Sequence, residues 1–342
     1  MGKSQVGLVL HDTYRLERLI GEGSMGAVYE AAHLRLRRRF AVKLLLPSAA
    51  APAESMARFR REAEITSELG HPNIVEVVDF NRTDDGATYI VMEHLEGEDL
   101  GTRIRRGALD LAEAESILRQ AASGLQAAHE LGVVHRDLKP QNLFLARRRD
   151  EVVVKVLDFG ISKVLSSQSR MTRAETLMGT PSYMAPELAT GNAVDATPRT
   201  DIFGLAAIAF EMLAGQPPYV GVSVLAVLYK VVHEPTPSVR SLCPAVPASV
   251  DAVLMQAMAK DPAERFASMD ELADAFSRAL GATAIERDAP PTASAERPIA
   301  ASLATLPPLA GPGYDAIGQT GPIRPSPVLQ TGAGHPAPVP PP

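Results

Sequence analysis

Three short stretches carry residues whose types and spacing suit the handling of phosphate. Gly21-Glu-Gly-Ser-Met-Gly26 sets glycines at positions 21, 23 and 26, where the lack of side chains lets backbone N–H groups approach anionic oxygens closely. His135-Arg-Asp-Leu-Lys-Pro-Gln-Asn142 puts the carboxylate of Asp137 five residues before the amide of Asn142. A carboxylate so placed can accept a hydroxyl proton, and Asn142 with Asp158 of Asp158-Phe-Gly160 offers the oxygen ligands that hard cations require. No single motif suffices: a GxGxxG arises by chance in about one chain in ten of this length, and an isolated Asp or Asn is most often a turn residue. The occurrence of all three, in this order, carries the argument.

These residues must be held by particular elements. Tyr14 to Ile20, Ala27 to His33 and Phe40 to Leu46 read as short strands, the first two joined by the glycine stretch, and Val75 to Phe80 and Thr88 to Met92 would make five. In Phe40-Ala-Val-Lys-Leu44, alternation sets Ala41 and Lys43 on one face and Phe40, Val42 and Leu44 on the other. An ammonium group and a small wall then face one cleft. Ala53 to Leu69 reads as a helix with Phe59, Glu62, Thr66 and Leu69 on or near one face, ended at Gly70-His-Pro72 because the residue before proline avoids helical backbone. Past Gly97 the pattern is mostly helical: Leu111 to Leu131, Asp201 to Leu213, Val222 to Val232, Ser249 to Ala259 and Ser268 to Leu280.

Together the three stretches resemble those of the protein kinases, and most closely the eukaryotic-like (Hanks-type) serine/threonine kinases of bacteria, over Tyr14 to Leu280. The resemblance implies an α+β, bilobal fold: a five-stranded N-lobe with helix C (14–95) and a larger helical C-lobe (96–280), after a short N-terminal extension (1–13). It implies ATP and Mg²⁺, with Mn²⁺ as an alternative. Gly21, Glu22, Gly23, Ser24, Met25 and Gly26 would cover the phosphates. Lys43 would hold them, paired with Glu62; Glu64 is a rival, about 200° around the helix. Val28, Ala41 and Phe144 would sandwich adenine, with Met92 as gatekeeper and the backbone of Glu93 and Leu95 bonding the base. Asp137 would accept the substrate proton, Lys139 would steady the transferring phosphate, and Asn142 and Asp158 would hold the metal. His135 and Phe159 would stack with Thr66, a position where the family more often has leucine or methionine.

The same resemblance assigns an ion pair between Glu187 of Ala185-Pro-Glu187 and Arg265, and a bracing role beneath the catalytic loop to Asp201. Arg136 would be neutralised by a phosphate on the activation segment, at Thr172 or Thr176, and Thr180 would contact Asp137 and Lys139. The activity implied is transfer of the ATP γ-phosphate to Ser/Thr hydroxyls of proteins. Rival readings are a catalytically silent scaffold and a small-molecule kinase. A transient homodimer for trans-phosphorylation belongs to the same expectation.

Composition bounds the rest. With 342 residues, 46% of them hydrophobic, the chain can build a sizeable core. Its net charge of −6, with both signs interspersed, argues against nucleic acid as partner. The basic runs Arg37-Arg38-Arg39 and Arg147-Arg148-Arg149 read as solvated turns between strands. Glu96, Glu98 and Asp99 read either as a solvated turn or as a preference for basic substrates. Cys243 is the only cysteine, so no intrachain disulfide forms and a reducing, cytoplasmic setting is expected. No stretch reaches the ~20 apolar residues of a membrane span. About half of the 28 prolines fall in the last sixth; residues 281–342 are expected to be disordered, with Pro336-Ala-Pro-Val-Pro340 either inert or a ligand for a polyproline-binding partner.

Overall fold

The computed structural model describes residues 5–23, 26–45, 70–83, 86–149, 151–159, 181–190 and 196–288. The helix expected over residues 53–69 and the tail from 289 to 342 lie outside them.

The N-terminal lobe is an antiparallel sheet of β1 (Val9–Leu10), β2 (Tyr14–Gly23), β3 (Gly26–His33), β4 (Arg39–Leu45), β5 (Val77–Arg82) and β6 (Thr88–Glu93), in the order β1-β2-β3-β4-β6-β5. β4 lies in the interior and is buried on both faces. Phe40 and Val42 pack with Leu16, Tyr29, Tyr89 and Val91, and Leu44 leans on the same group. Ala41 and Leu45 pack on the opposite side with Val75, Ile90 and Met92. Period-two alternation produces this division, as expected from the sequence.

The five expected strands are joined by a sixth. Leu10, in the segment read as an extension, is buried in the same cluster as Tyr14 and Leu16, and β1 pairs with β2 through Val9↔Arg15 and Leu10↔Tyr14. Burial of one leucine beside a free sheet edge recruits two residues too few to show a period.

In the C-terminal lobe, β7 (Gly97–Asp99), β8 (Leu143–Arg148) and β9 (Glu151–Val156) form a small antiparallel sheet. The helices are α1 (Leu100–Ile104), α2 (Leu111–Glu130), α3 (Pro186–Ala189), α4 (Pro198–Ala214), α5 (Val224–His233), α6 (Ala248–Ala257) and α7 (Met269–Asp288). α2 is capped by Asp110, whose carboxylate accepts from the Glu113 N–H, and it buries Ala114, Ile117, Leu118, Ala121, Leu125 and Ala128 on one stripe. Gly124 on that helix faces Asn73: an added Cβ would sit 2.9 Å from the Asn73 carbonyl oxygen. That closeness lets Asn73 reach the Val154 carbonyl and fixes α2 against the strand leading to Asp158.

α4 starts with Pro198 and a capping box between Thr197 and Thr200, and ends at Gly215 in the left-handed region. Ile202 to Phe210 are buried on all sides, so α4 is the centre of the lobe. Among the described residues no helix is long and apolar enough to cross a membrane. α7 continues to Asp288, past the boundary expected at residue 280. Its last turns lie where alanine-rich sequence still favours helix, ahead of the first tail prolines.

Candidate active site

The glycine stretch forms the end of the β2–β3 hairpin, with Gly21 opposite Val28, Glu22 opposite Ala27 and Gly23 opposite Gly26. Ser24 and Met25 lie outside the described residues. At Gly26 a Cβ would fall 1.9 Å from the Leu44 carbonyl oxygen, so any side chain would force β3 away from β4. Close approach, as well as backbone freedom, demands glycine here.

Lys43 stands in β4 opposite both Val28 and Ile90. It is only 8% exposed, and its Nζ lies 2.7 Å from Asp158 Oδ1. Glu62, the partner expected for Lys43, lies outside the described residues. On the same face Val28, Ala41, Met92, Leu95 and Leu157 share one apolar cluster. Phe144, expected against the same base, is partly exposed in β8 between Asp99 and Lys155 and stands outside that cluster.

The loop from His135 to Asn142 is suspended from Asp201. One Asp201 oxygen accepts the His135 N–H at 2.7 Å and bonds His129 at 2.8 Å; the other accepts the Arg136 N–H at 2.8 Å. This grip holds Arg136 at φ 65, a conformation that costs a non-glycine residue about 1–3 kcal/mol. The Arg136 Nε is buried and has no hydrogen-bond partner among the described residues. Further along, Lys139 Nζ donates to Asp137 Oδ2 at 2.9 Å, and Asn142 Nδ2 donates to the Asp137 carbonyl at 2.8 Å. The Asn142 carbonyl accepts the Leu157 N–H at 2.8 Å, one residue before Asp158. Phe159 stacks on His135 with ring centroids 5.0 Å apart; Thr66 is outside the described residues.

Lower in the lobe, the expected pair is present: Arg265 forks onto Glu187 with two bonds of 2.9 Å, and Thr200 donates to the same carboxylate. Burial would raise the Glu187 carboxyl, but the guanidinium outweighs it and holds the group below the ordinary range. Tyr183 donates to Glu211 at 2.5 Å, and burial, aided by that carboxylate, pushes the phenol well above its usual value. Gly160, Thr172, Thr176 and Thr180 lie outside the described residues.

Sequence reasoning missed a buried contact at Glu93, the last residue of β6. Lys155, 3% exposed, donates to Glu93 Oε1 at 2.5 Å and to the Ile74 carbonyl at 3.1 Å, while Arg148 approaches the other Glu93 oxygen at 3.6 Å. The Glu93 N–H is also committed, to the Glu76 carbonyl. One signal was available: Lys155 interrupts Val152-Val-Val-Lys-Val156, and a lone cation in an apolar strand needs a buried partner. The acidic cluster also resolves into internal contacts. Glu96 pairs with Arg39, Glu98 with Arg106, and Asp99 caps α1 through Thr102.

The donor set fits a magnesium-type ion. With Nδ2 of Asn142 already donating to Asp137, its Oδ1 and the Asp158 carboxylate are hard oxygen ligands on adjoining segments. No group of three or more His, Cys, Asp or Glu able to hold a metal occurs among the described residues. A cation bound here would draw further ligands from phosphate and water, as Mg²⁺ commonly does.

The family model for the protein kinase domain matches residues 14–277. Serine/threonine-protein kinase Pkn1 of Myxococcus xanthus is 40% identical over 273 residues, 78% of this chain and 38% of that protein. Serine/threonine-protein kinase PknA of Mycobacterium tuberculosis is 39% identical over 276 residues, 79% of this chain and 62% of PknA. The chain thus spans between 38% and 62% of the length of these curated relatives. The crystal structure of the M. tuberculosis PknI kinase domain superposes with a TM-score of 0.65 at 32% identity, covering 82% of this chain and 100% of that one. With the glycine hairpin, the loop suspended from Asp201 and the Asp158 segment in one arrangement, this chain belongs to the protein kinase family, in its bacterial Hanks-type serine/threonine branch.

Proposed function

We propose that the chain transfers the γ-phosphate of ATP to serine and threonine hydroxyls of proteins. The observation that carries the proposal is one connected path. Lys139 bonds Asp137, Asp137 bonds Asn142, Asn142 bonds Leu157, and the next residue, Asp158, pairs with Lys43. It joins a proton acceptor, metal-type oxygen ligands and two cations with little freedom to drift apart. Phosphoryl transfer needs positioning and charge neutralisation more than covalent chemistry.

In this reading Gly21, Glu22, Gly23, Ser24, Met25 and Gly26 cover the triphosphate and Lys43 draws in its oxygens. Glu62 supports Lys43 from helix C. Val28, Ala41, Met92 and Phe144 enclose the base, which bonds the Glu93 carbonyl and the Leu95 N–H. Asn142 and Asp158 hold Mg²⁺, which neutralises phosphate charge when bound. Asp137 orients the attacking hydroxyl and receives its proton at the carboxylate, while Lys139 stays on the phosphate being moved. The kinase domain comprises residues 14–280, continued by the last turns of α7 to Asp288 and set in the cytoplasm; the proline-rich tail after it is inert, with a polyproline-binding partner as the alternative.

A phosphate at Thr172, or secondarily Thr176, engages Arg136 and raises activity. The buried Arg136 Nε without a partner among the described residues supports this. A transient homodimer carries out the modification. A catalytically silent scaffold is disfavoured because Lys43, Asp137, Asn142 and Asp158 are all intact.

The test is incubation of wild type and Lys43→Met with labelled ATP, Mg²⁺ and a generic protein substrate. Label on serine or threonine in the wild type alone supports the reading; equal label in both refutes it. Phosphopeptide mapping of the incubated wild type tests the regulatory part, which modification confined to residues 281–342 would reject.

A further inference from the structure

The two basic runs, read in the sequence as separate solvated turns, meet at the hinge. Arg39 Nη2 lies 3.4 Å from Glu96 Oε1, and the backbone N–H of Arg147 donates to the Glu96 carbonyl at 2.7 Å. Arg148 reaches Glu93 three residues earlier. A single segment, Glu93 to Glu96, is therefore contacted by residues of both arginine runs. All six arginines are exposed.

The local charge is unbalanced. Glu30 is shared by Arg18 and Arg39, and Glu93 by Lys155 and Arg148. Glu98 is bonded by Arg106, with Arg147 and Arg103 near enough to help hold its carboxyl low. Glu30, Glu93 and Glu98 are thus each claimed by more than one cation, while Glu96 pairs with Arg39. Among the described residues Arg37, Arg38 and Arg147 have no carboxylate at ion-pair distance, and Arg38 instead lies over the Phe40 ring at 5.3 Å. Leu34 and Leu36, both exposed, stand in the first turn. A chain of net charge −6 thereby concentrates positive charge, edged by apolar surface, in one place outside the catalytic loop.

We propose that these two arginine turns form one docking surface for an acidic, Asp/Glu-rich segment of a partner protein. Complementary charge steers such an encounter and fixes its register. Nucleic acid suits the surface less well, because Glu30, Glu93, Glu96 and Glu98 interrupt the cations and would oppose a regularly charged phosphate backbone. The proposal is independent of the catalytic reading, since none of these arginines takes part in the path from Lys139 to Lys43.

The experiment measures fluorescence anisotropy of a labelled decaglutamate peptide with the full chain, its Arg37→Gln/Arg38→Gln/Arg147→Gln variant and the corresponding triple lysine variant. A single-stranded oligonucleotide of equal charge serves as competitor, and thermal melting checks folding. The wild type should bind the peptide more weakly as salt rises, the glutamine variant about tenfold more weakly at low salt, and the lysine variant nearly as well as wild type. Equal affinity of wild type and glutamine variant would overturn the proposal. So would an oligonucleotide that binds the wild type more tightly than the peptide and is lost through the same substitutions.

Discussion

Lys43 Nζ and Asp158 Oδ1 lie 2.7 Å apart, an ion pair that joins the central strand of the N-lobe to the segment following β9. The Asp158 side chain is 34% exposed, so the carboxylate still reaches solvent and a cation. Asp158→Asn keeps the size of the residue and removes its charge. Wild-type protein should retain ATP in Mg²⁺ and lose it on chelation with EDTA. In the variant, retention should fall at least about tenfold and cease to respond to EDTA, as measured by equilibrium titration with labelled ATP. An unchanged response would remove Asp158 from the metal site.

Arg265 and Glu187 form a buried two-bond pair, and removing the guanidinium strands a carboxylate. Arg265→Ala should lower stability by about 3–5 kcal/mol in chemical unfolding, before any specific effect on catalysis. The pH dependence follows from the direction of the shift. A depressed folded pKa means the pair's contribution is full above the ordinary glutamate range, about 4, and is lost as pH falls toward the folded value. The gap between wild type and Arg265→Ala should therefore shrink under acid conditions. A gap that widens with acid would contradict this origin.

The Lys155–Glu93 pair invites a double-mutant cycle. Lys155→Met alone leaves Glu93 with the Glu76 N–H and the longer Arg148 contact but no close cation, and should destabilise by about 3 kcal/mol. Adding Glu93→Gln should restore part of that loss, because the uncompensated charge disappears. Additive losses in thermal or denaturant unfolding would show that the two side chains do not act as a pair.

Much of the site could be read from the sequence because its information is local. The period of two in Phe40-Ala-Val-Lys-Leu44 set the facing of Lys43, and Asp137, Lys139 and Asn142 are joined by bonds spanning at most five residues. Where partners lie far apart only the family resemblance reached them, as for Glu187 and Arg265. Lys155 and Glu93 are 62 residues apart, and nothing periodic links them. Glu96, Glu98 and Asp99 read as a solvated turn or a preference for basic substrates; the Glu96 partner, Arg39, lies 57 residues away, whereas Asp99 and Thr102 are only three apart. The β8–β9 hairpin was expected around the Arg147-Arg148-Arg149 turn, but β7 escaped notice: it has three residues, and its pairing to β8 crosses α2.

Lys260 gives a second pH signature, in an alkaline window. Its ammonium lies over the Tyr219 ring at 4.4 Å and donates to the Tyr219 hydroxyl and the Val231 carbonyl. Burial, with Arg265 nearby, lowers its pKa to about 8. A lysine depressed in the fold is a cost below about 8, where both states are charged, and the cost is relieved as pH rises toward the unfolded value of about 10.4. Unfolding of wild type and Lys260→Met at pH 7.5 and pH 10 should show the wild type gaining on the variant. A difference that does not change with pH would reject the shift.

The most direct measurement is the rate of phosphate transfer to a protein serine or threonine by Asp137→Asn, alongside its affinity for MgATP. The account predicts a rate lowered by about 10²- to 10⁴-fold with nucleotide affinity essentially unchanged, because Asp137 serves the hydroxyl and not the nucleotide. A variant that transfers phosphate as fast as wild type would contradict it.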